Sequence, residues 1–130
     1  MRKALLIILA SALLLICGCS KTSVNPNDDA TLTFIYGEKD ICISLTAEET
    51  EKVIEILNEK SYSSLFSGTP SCGFDKNISL QIGERSFAIA RDTCNVVQDL
   101  GNLRYFDIPK DDMEYIHSLF EKYGGKFPCI

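Results

Sequence analysis

Tryptophan is absent from this chain, histidine occurs once and proline four times in 130 residues. With His117 as the lone histidine, no His-based metal set can form. It is also the one side chain whose unperturbed titration falls near neutrality. A Gly-rich phosphate loop, a Cys-x-x-Cys pair and a basic stretch interleaved with aromatics are all missing. Nucleotide binding, thioredoxin-type exchange and nucleic-acid recognition therefore lack their usual sequence basis. Basic charge is in deficit as well, with 13 Lys and Arg against 18 Asp and Glu. A surface of that sign is repelled by nucleic acid and by anionic headgroups, so no nucleic-acid partner is expected. No internal repeat is visible, and the length has room for one domain.

What is present begins at the N-terminus. Met1-Arg2-Lys3 precedes an uncharged, almost wholly apolar run of 13 residues, Ala4 to Ile16, and then Cys17-Gly18-Cys19-Ser20. A basic start, an apolar run and a small residue before a cut are the three parts of a secretory signal. As a helix the run rises only about 20 Å against about 30 Å of hydrocarbon core. Counting on to Ser20 gives 17 residues, the margin of an uncleaved anchor, which is the alternative.

The segment Ile16-Cys17-Gly18-Cys19 resembles the bacterial lipobox, with an aliphatic residue at −3 and a small one at −1 before an obligatory cysteine. Cys17 has Ile16 at its own −1 position and fits poorly. The resemblance covers residues 1–20 and implies a small bacterial lipoprotein: cleavage before Cys19, diacylglycerol on its thiol, often a further acyl chain such as palmitate on the new amino terminus, and a lipid-anchored position on the extracytoplasmic side of the cell membrane. Each buried methylene adds about 0.8 kcal/mol, so two or three chains hold far more firmly than one. Loss of residues 1–18 removes Arg2 and Lys3, leaving 11 basic against 18 acidic side chains, a net of −7. The lipid on Cys19 must therefore provide the membrane binding.

Four cysteines remain in the mature chain besides Cys19: Cys42, Cys72, Cys94 and Cys129. An even number in an oxidising compartment implies two disulfides, with three possible pairings. A hairpin argument favours one of them. Asn77–Ile82 and Arg85–Ala90 both alternate at period two around Gly83-Glu84, and glycine at the first loop position is the type II′ requirement. That register sets Leu80 opposite Phe87 and Ile78 opposite Ile89, and brings Cys72 near Cys94 at the open end, provided the ladder is irregular near Gly73. Cys42 is then left for Cys129.

Residues 20–30 are polar and aperiodic and read as a flexible tether. The expected organisation is a signal peptide over 1–18, a lipidated cysteine and tether over 19–30, and one disulfide-stapled domain over 31–130. Within it, Thr31–Tyr36 and Asp40–Leu45 read as a hairpin, and Thr46-Ala47-Glu48-Glu49 is a capping box opening a helix that ends near Asn58–Lys60. Residues 61–77 read as a long connection, carrying Tyr62, Leu65, Phe66 and Phe74. After the central hairpin come a short segment at Asn95–Gln98, a strand at Leu103–Ile108, and a helix from Pro109 with Met113, Ile116 and Phe120 on one side. The fold expected is α+β, an antiparallel sheet of four to five strands covered on one face by two helices.

For chemistry the residues offer little. His117 falls at the edge of its helix's apolar stripe, where a histidine usually caps a core. Asp75 and Asp92 could place two carboxylates at the open end of the hairpin, but a chain this short has little cleft for a substrate. Asn25–Asp29 lacks the Gly and terminal Glu of an EF-hand loop. No catalytic residue, metal ligand or cofactor is expected. Tyr62, Leu65 and Phe66, on a clamped loop, are the candidate contacts for a protein or ligand partner. The expectation is a monomeric, non-enzymatic binding module at the cell surface (an inhibitor, immunity-type protein or accessory subunit), the alternative being a small enzyme or redox protein with a free cysteine.

Overall fold

The computed structural model describes residues 20–64 and 68–128. The expected signal peptide, Cys19, Leu65, Phe66 and Cys129 lie outside the described residues. The elements are β1 (Ala30–Tyr36), β2 (Lys39–Ser44), α1 (Ala47–Leu57), β3 (Phe74–Ile82), β4 (Arg85–Ala90), β5 (Val96–Asp99), β6 (Arg104–Asp107) and α2 (Lys110–Lys122). The strands form one antiparallel sheet in the order β2-β1-β3-β4-β5-β6. The sheet thus has six strands rather than four or five, because the short segment at 96–99 pairs on both sides.

Register explains the core. Leu32 lies opposite Leu80, Leu80 opposite Phe87, Ile89 opposite Val97 and Val97 opposite Phe106. Directly paired residues share a face, so all of these point the same way. They cluster with Val53, Ile56 and Leu57 of α1 and Met113, Ile116 and Phe120 of α2. Both helices therefore cover one face, as the amphipathic spacing predicts. The other face carries Thr31, Thr33, Ser79, Gln81 and Gln98, with Phe74 resting against Tyr105.

Local signals set the boundaries. Thr46 Oγ1 accepts from the Glu49 amide at 3.2 Å while the Glu49 carboxylate accepts from the Thr46 amide at 2.9 Å, the reciprocal capping box. Gly83 takes φ +57°, and Glu84 is outside the left-handed region, as a type II′ loop requires. Leu80 pairs with Phe87 as expected, but the ladder shifts between Phe74 and Ser79. Ile78 falls in that irregular stretch, so the expected Ile78–Ile89 pair is not part of the ladder. The irregularity lets Cys72 and Cys94 form a disulfide with Cα atoms 6.0 Å apart. The connection after α1 is shorter than expected, since β3 starts at Phe74.

The tether is corrected. The Tyr62 amide donates to Ser20 O at 2.9 Å, the Thr22 amide to Lys60 O at 2.8 Å, and the Glu59 amide to Thr22 O at 3.0 Å. Residues 20–24 therefore run against 59–62 as part of the domain. Thr22 and Val24 are buried, at 2% and 6% exposure. Thr22 Oγ1 donates to Leu57 O at 2.6 Å and so satisfies a carbonyl that the end of α1 leaves open. Three backbone bonds and two buried side chains outweigh the chain entropy that the polar composition suggested would win.

Candidate functional site

Two ends of the sheet concentrate polar side chains. The upper end carries the β3–β4 and β5–β6 turns, and the lower end carries the β1–β2 turn, the start of β3 and the end of β4.

At the upper end, Asp99 sits opposite Phe87 and so points into the core face, where it is fully buried. Its carboxylate accepts from the Arg85 guanidinium and the Tyr62 hydroxyl, and from the Gly101 amide at 2.9 Å. Arg85 also donates to Tyr62 Oη at 3.2 Å and to Ser23 O at 3.1 Å. The Arg104 guanidinium lies 4.6 Å from the Tyr62 ring centroid and donates to Ser63 O at 3.1 Å. Burial, with the neighbouring Asp99 carboxylate, raises the Tyr62 hydroxyl above its usual value. A phenol held protonated against a satisfied carboxylate is a structural lock rather than an acid–base pair. Tyr62, expected as a partner contact, thus faces inward, with its ring edge-on to Phe106.

A second cluster joins the helices. Glu49 is buried, and it accepts from Lys122 Nζ at 2.6 Å and Tyr123 Oη at 2.9 Å. Burial alone would raise its carboxyl, but the Lys122, Thr46 and Tyr123 bonds together outweigh it and lower the value to about 2.

The lower end carries the disulfide. Asp92 accepts from the Gly73 amide at 3.1 Å and the Cys94 amide at 2.9 Å, folding the turn that brings the sulfurs together. Cys72, Asp92 and Cys94 converge closely enough to suggest a metal site. In the disulfide, however, both sulfurs are bonded to each other and no thiolate is available. Beside it an open groove of about 490 Å³ is lined by residues including Tyr36, Asp75, Ile78, Arg91, Lys126 and Pro128. Asp75 lines this groove while Asp92 lines a different one with His117, so the two carboxylates do not share a site. His117 is half-buried and stacks on Phe127 with centroids 4.0 Å apart. Burial lowers its pKa, only partly offset by Glu121 and Glu114, and its Nε2 makes no hydrogen bond. It packs the C-terminal tail onto α2.

Cys42 is exposed on β2 and unpaired among the described residues, with the Thr33 hydroxyl 3.8 Å from its sulfur. Its expected partner, Cys129, lies outside them. The residues missed in the sequence are Arg85, Asp99 and Arg104. Their signal was parity: Arg85 is in phase with Phe87 and Ile89, and Asp99 with Val97, so charge on the inward phase at one end of neighbouring strands marked a buried ion pair. Among the described residues no helix is long and apolar enough to cross a membrane. Comparison with family models, curated proteins and solved structures gives no match.

Proposed function

We propose that the chain is a lipoprotein, exported, cleaved before Cys19 and held by lipid on that cysteine at the extracytoplasmic face of a cell membrane, with a non-enzymatic binding module as its domain. The observation that carries this reading is Ile16-Cys17-Gly18-Cys19 behind an uncharged apolar run and a basic start. The binding half draws support from how the acids are used: Asp99, Glu49 and Asp92 each hold donors of their own fold. The lower groove, with Asp75, Arg91 and Lys126 around Tyr36 and Ile78, offers both charge signs and an apolar floor, which suits a polypeptide partner.

Expression of the full chain in a bacterial host with labelled palmitate tests the anchor. Label should enter the membrane-bound protein and disappear with Cys19→Ser, whereas an unlabelled wild-type chain overturns the reading. Affinity capture from detergent-solubilised membranes tests the module. A stoichiometric partner should be retained by wild type and lost with Lys126→Glu.

The second reading, a small redox protein, draws on Cys42, which is exposed and unpaired among the described residues. Counting thiols in the denatured, non-reduced mature protein separates the two, because no free thiol outside Cys19 removes the redox reading.

A further inference from the structure

We infer that the upper corner of the domain, where Ser20 enters and the β5–β6 turn presents Leu103, lies directly against the lipid surface, with Leu103 seated in the interface. This rests on the lipoprotein reading and specifies how the domain is held. Two independent features point to it. The first is the lack of slack. The lipid-bearing residue is one peptide unit, about 3.8 Å between Cα atoms, from Ser20. Ser20 itself is bonded to Tyr62, and Thr22 to Lys60 and Leu57. Between the proposed cleavage point and Ser20 only Cys19 intervenes, so the corner cannot stand away from the headgroups.

The second feature is Leu103. It is one of two large hydrophobic side chains that the described fold leaves exposed, at 65%, and it sits at a turn tip with φ +58°, a conformation that favours glycine. A leucine kept in that place offers an apolar side chain where the backbone would prefer none. The turn adjoins the entry strand: Ser63 donates to Tyr105 O, Arg104 to Ser63 O, and Leu103 lines a depression with Ser63 and Ser64. Charge is mixed along this end, with Lys21 and Lys60 beside Glu59 at the entry and Asp28 against Gly83 in the β3–β4 turn, so the lipid and Leu103 rather than net charge hold the corner down. Interfacial side chains of this kind enter about 5–10 Å into the headgroup boundary.

The absence of tryptophan makes the test direct. Full-length protein carrying Leu103→Trp is purified with its lipid and placed in phosphatidylcholine–phosphatidylglycerol vesicles with brominated acyl chains. Emission should shift to the blue and fall by roughly half, as for a ring at the interface. Glu38→Trp, on the β1–β2 turn at the far end, should be unchanged, and Ser61→Trp supplies a second reporter on the near rim. A Gly-Ser linker of about ten residues between Cys19 and Ser20 should abolish most of the Leu103→Trp quenching while leaving the lipid in place. Mass spectrometry of the same samples separates the failures. Lipid on Cys19 with no quenching at either rim reporter overturns the inference and leaves the lipoprotein reading standing, and an unmodified Cys19 overturns both. A Leu103→Trp side chain that is shielded in native membranes but not in protein-free vesicles identifies a protein as the occupant, and likewise overturns the inference.

Discussion

The two ends of the sheet are closed by different chemistry. At the upper end a buried carboxylate, two guanidinium groups and a phenol bind the entry segment, the loop after α1 and the β5–β6 turn without a covalent link. At the lower end a disulfide joins the approaches to β3 and β4, and the C-terminal tail is laid over α2 by Phe127 against His117 and Phe120. The upper end holds its groups by mutual satisfaction, so each depends on all the others. The lower end depends on one bond and leaves a groove open beside it. The difference teaches that the interlocked end is the one where the chain enters, and that the open groove lies at the other.

Breaking the upper cluster should have the largest effect. Asp99→Ala leaves Arg85 and Tyr62 without their shared acceptor and should cost about 3–4 kcal/mol in urea unfolding. If it costs less than 1 kcal/mol, the upper end is not held as described. Removal of the disulfide by Cys72→Ala with Cys94→Ala should cost about 3 kcal/mol in the chain-entropy model, given a sequence separation of 22. Hydrogen exchange should sharpen the comparison: reduction speeds exchange around residues 72–76 and 90–95 and leaves 20–24 unchanged. Equal acceleration at both ends would show that they are one cooperative unit.

Glu49 joins the two helices and reports through pH. Its folded value of about 2 lies below the ordinary 4.5, so its contribution is complete above 4.5 and is lost as pH falls toward 2. Because Lys122 is exposed, the contribution should be about 1–2 kcal/mol, and Glu49→Gln should flatten the acid limb of the stability curve by that amount. The smallest effect has the opposite sign. Leu103→Gly relieves a positive φ in a side chain with little packing to lose, and should raise stability in solution by about 0.5 kcal/mol. A destabilisation in the soluble domain would mean that the leucine packs on the fold after all.

The sheet, the helices and the disulfide at the lower end were legible because each has a strong local signature: the Thr46/Glu49 box, glycine at 83, and period-two runs whose register brings Cys72 toward Cys94. The upper end was not legible, for two physical reasons. Thr22 and Val24 alternate inward over only three residues, too short a run for periodicity to stand out in a polar stretch. Asp99 is stabilised by groups 14 and 37 residues away, Arg85 and Tyr62, a convergence that only the folded register creates. Leu65 and Phe66, the other expected contacts, fall outside the described residues. The groove likewise draws on β1, β3, β4 and the tail, and no single segment announces it.

The antiparallel register of β1 has a consequence for how the molecule is mounted. Ala30 pairs at the upper end of the sheet and Tyr36 turns at the lower, so the two ends are separated by six residue steps, roughly 20 Å at strand rise. The sheet is thus a short post. Held at its upper end by the proposed anchor, it would leave the lower end unobstructed, at a height set by strand length and a tilt set by the few bonds at Ser20 and Thr22.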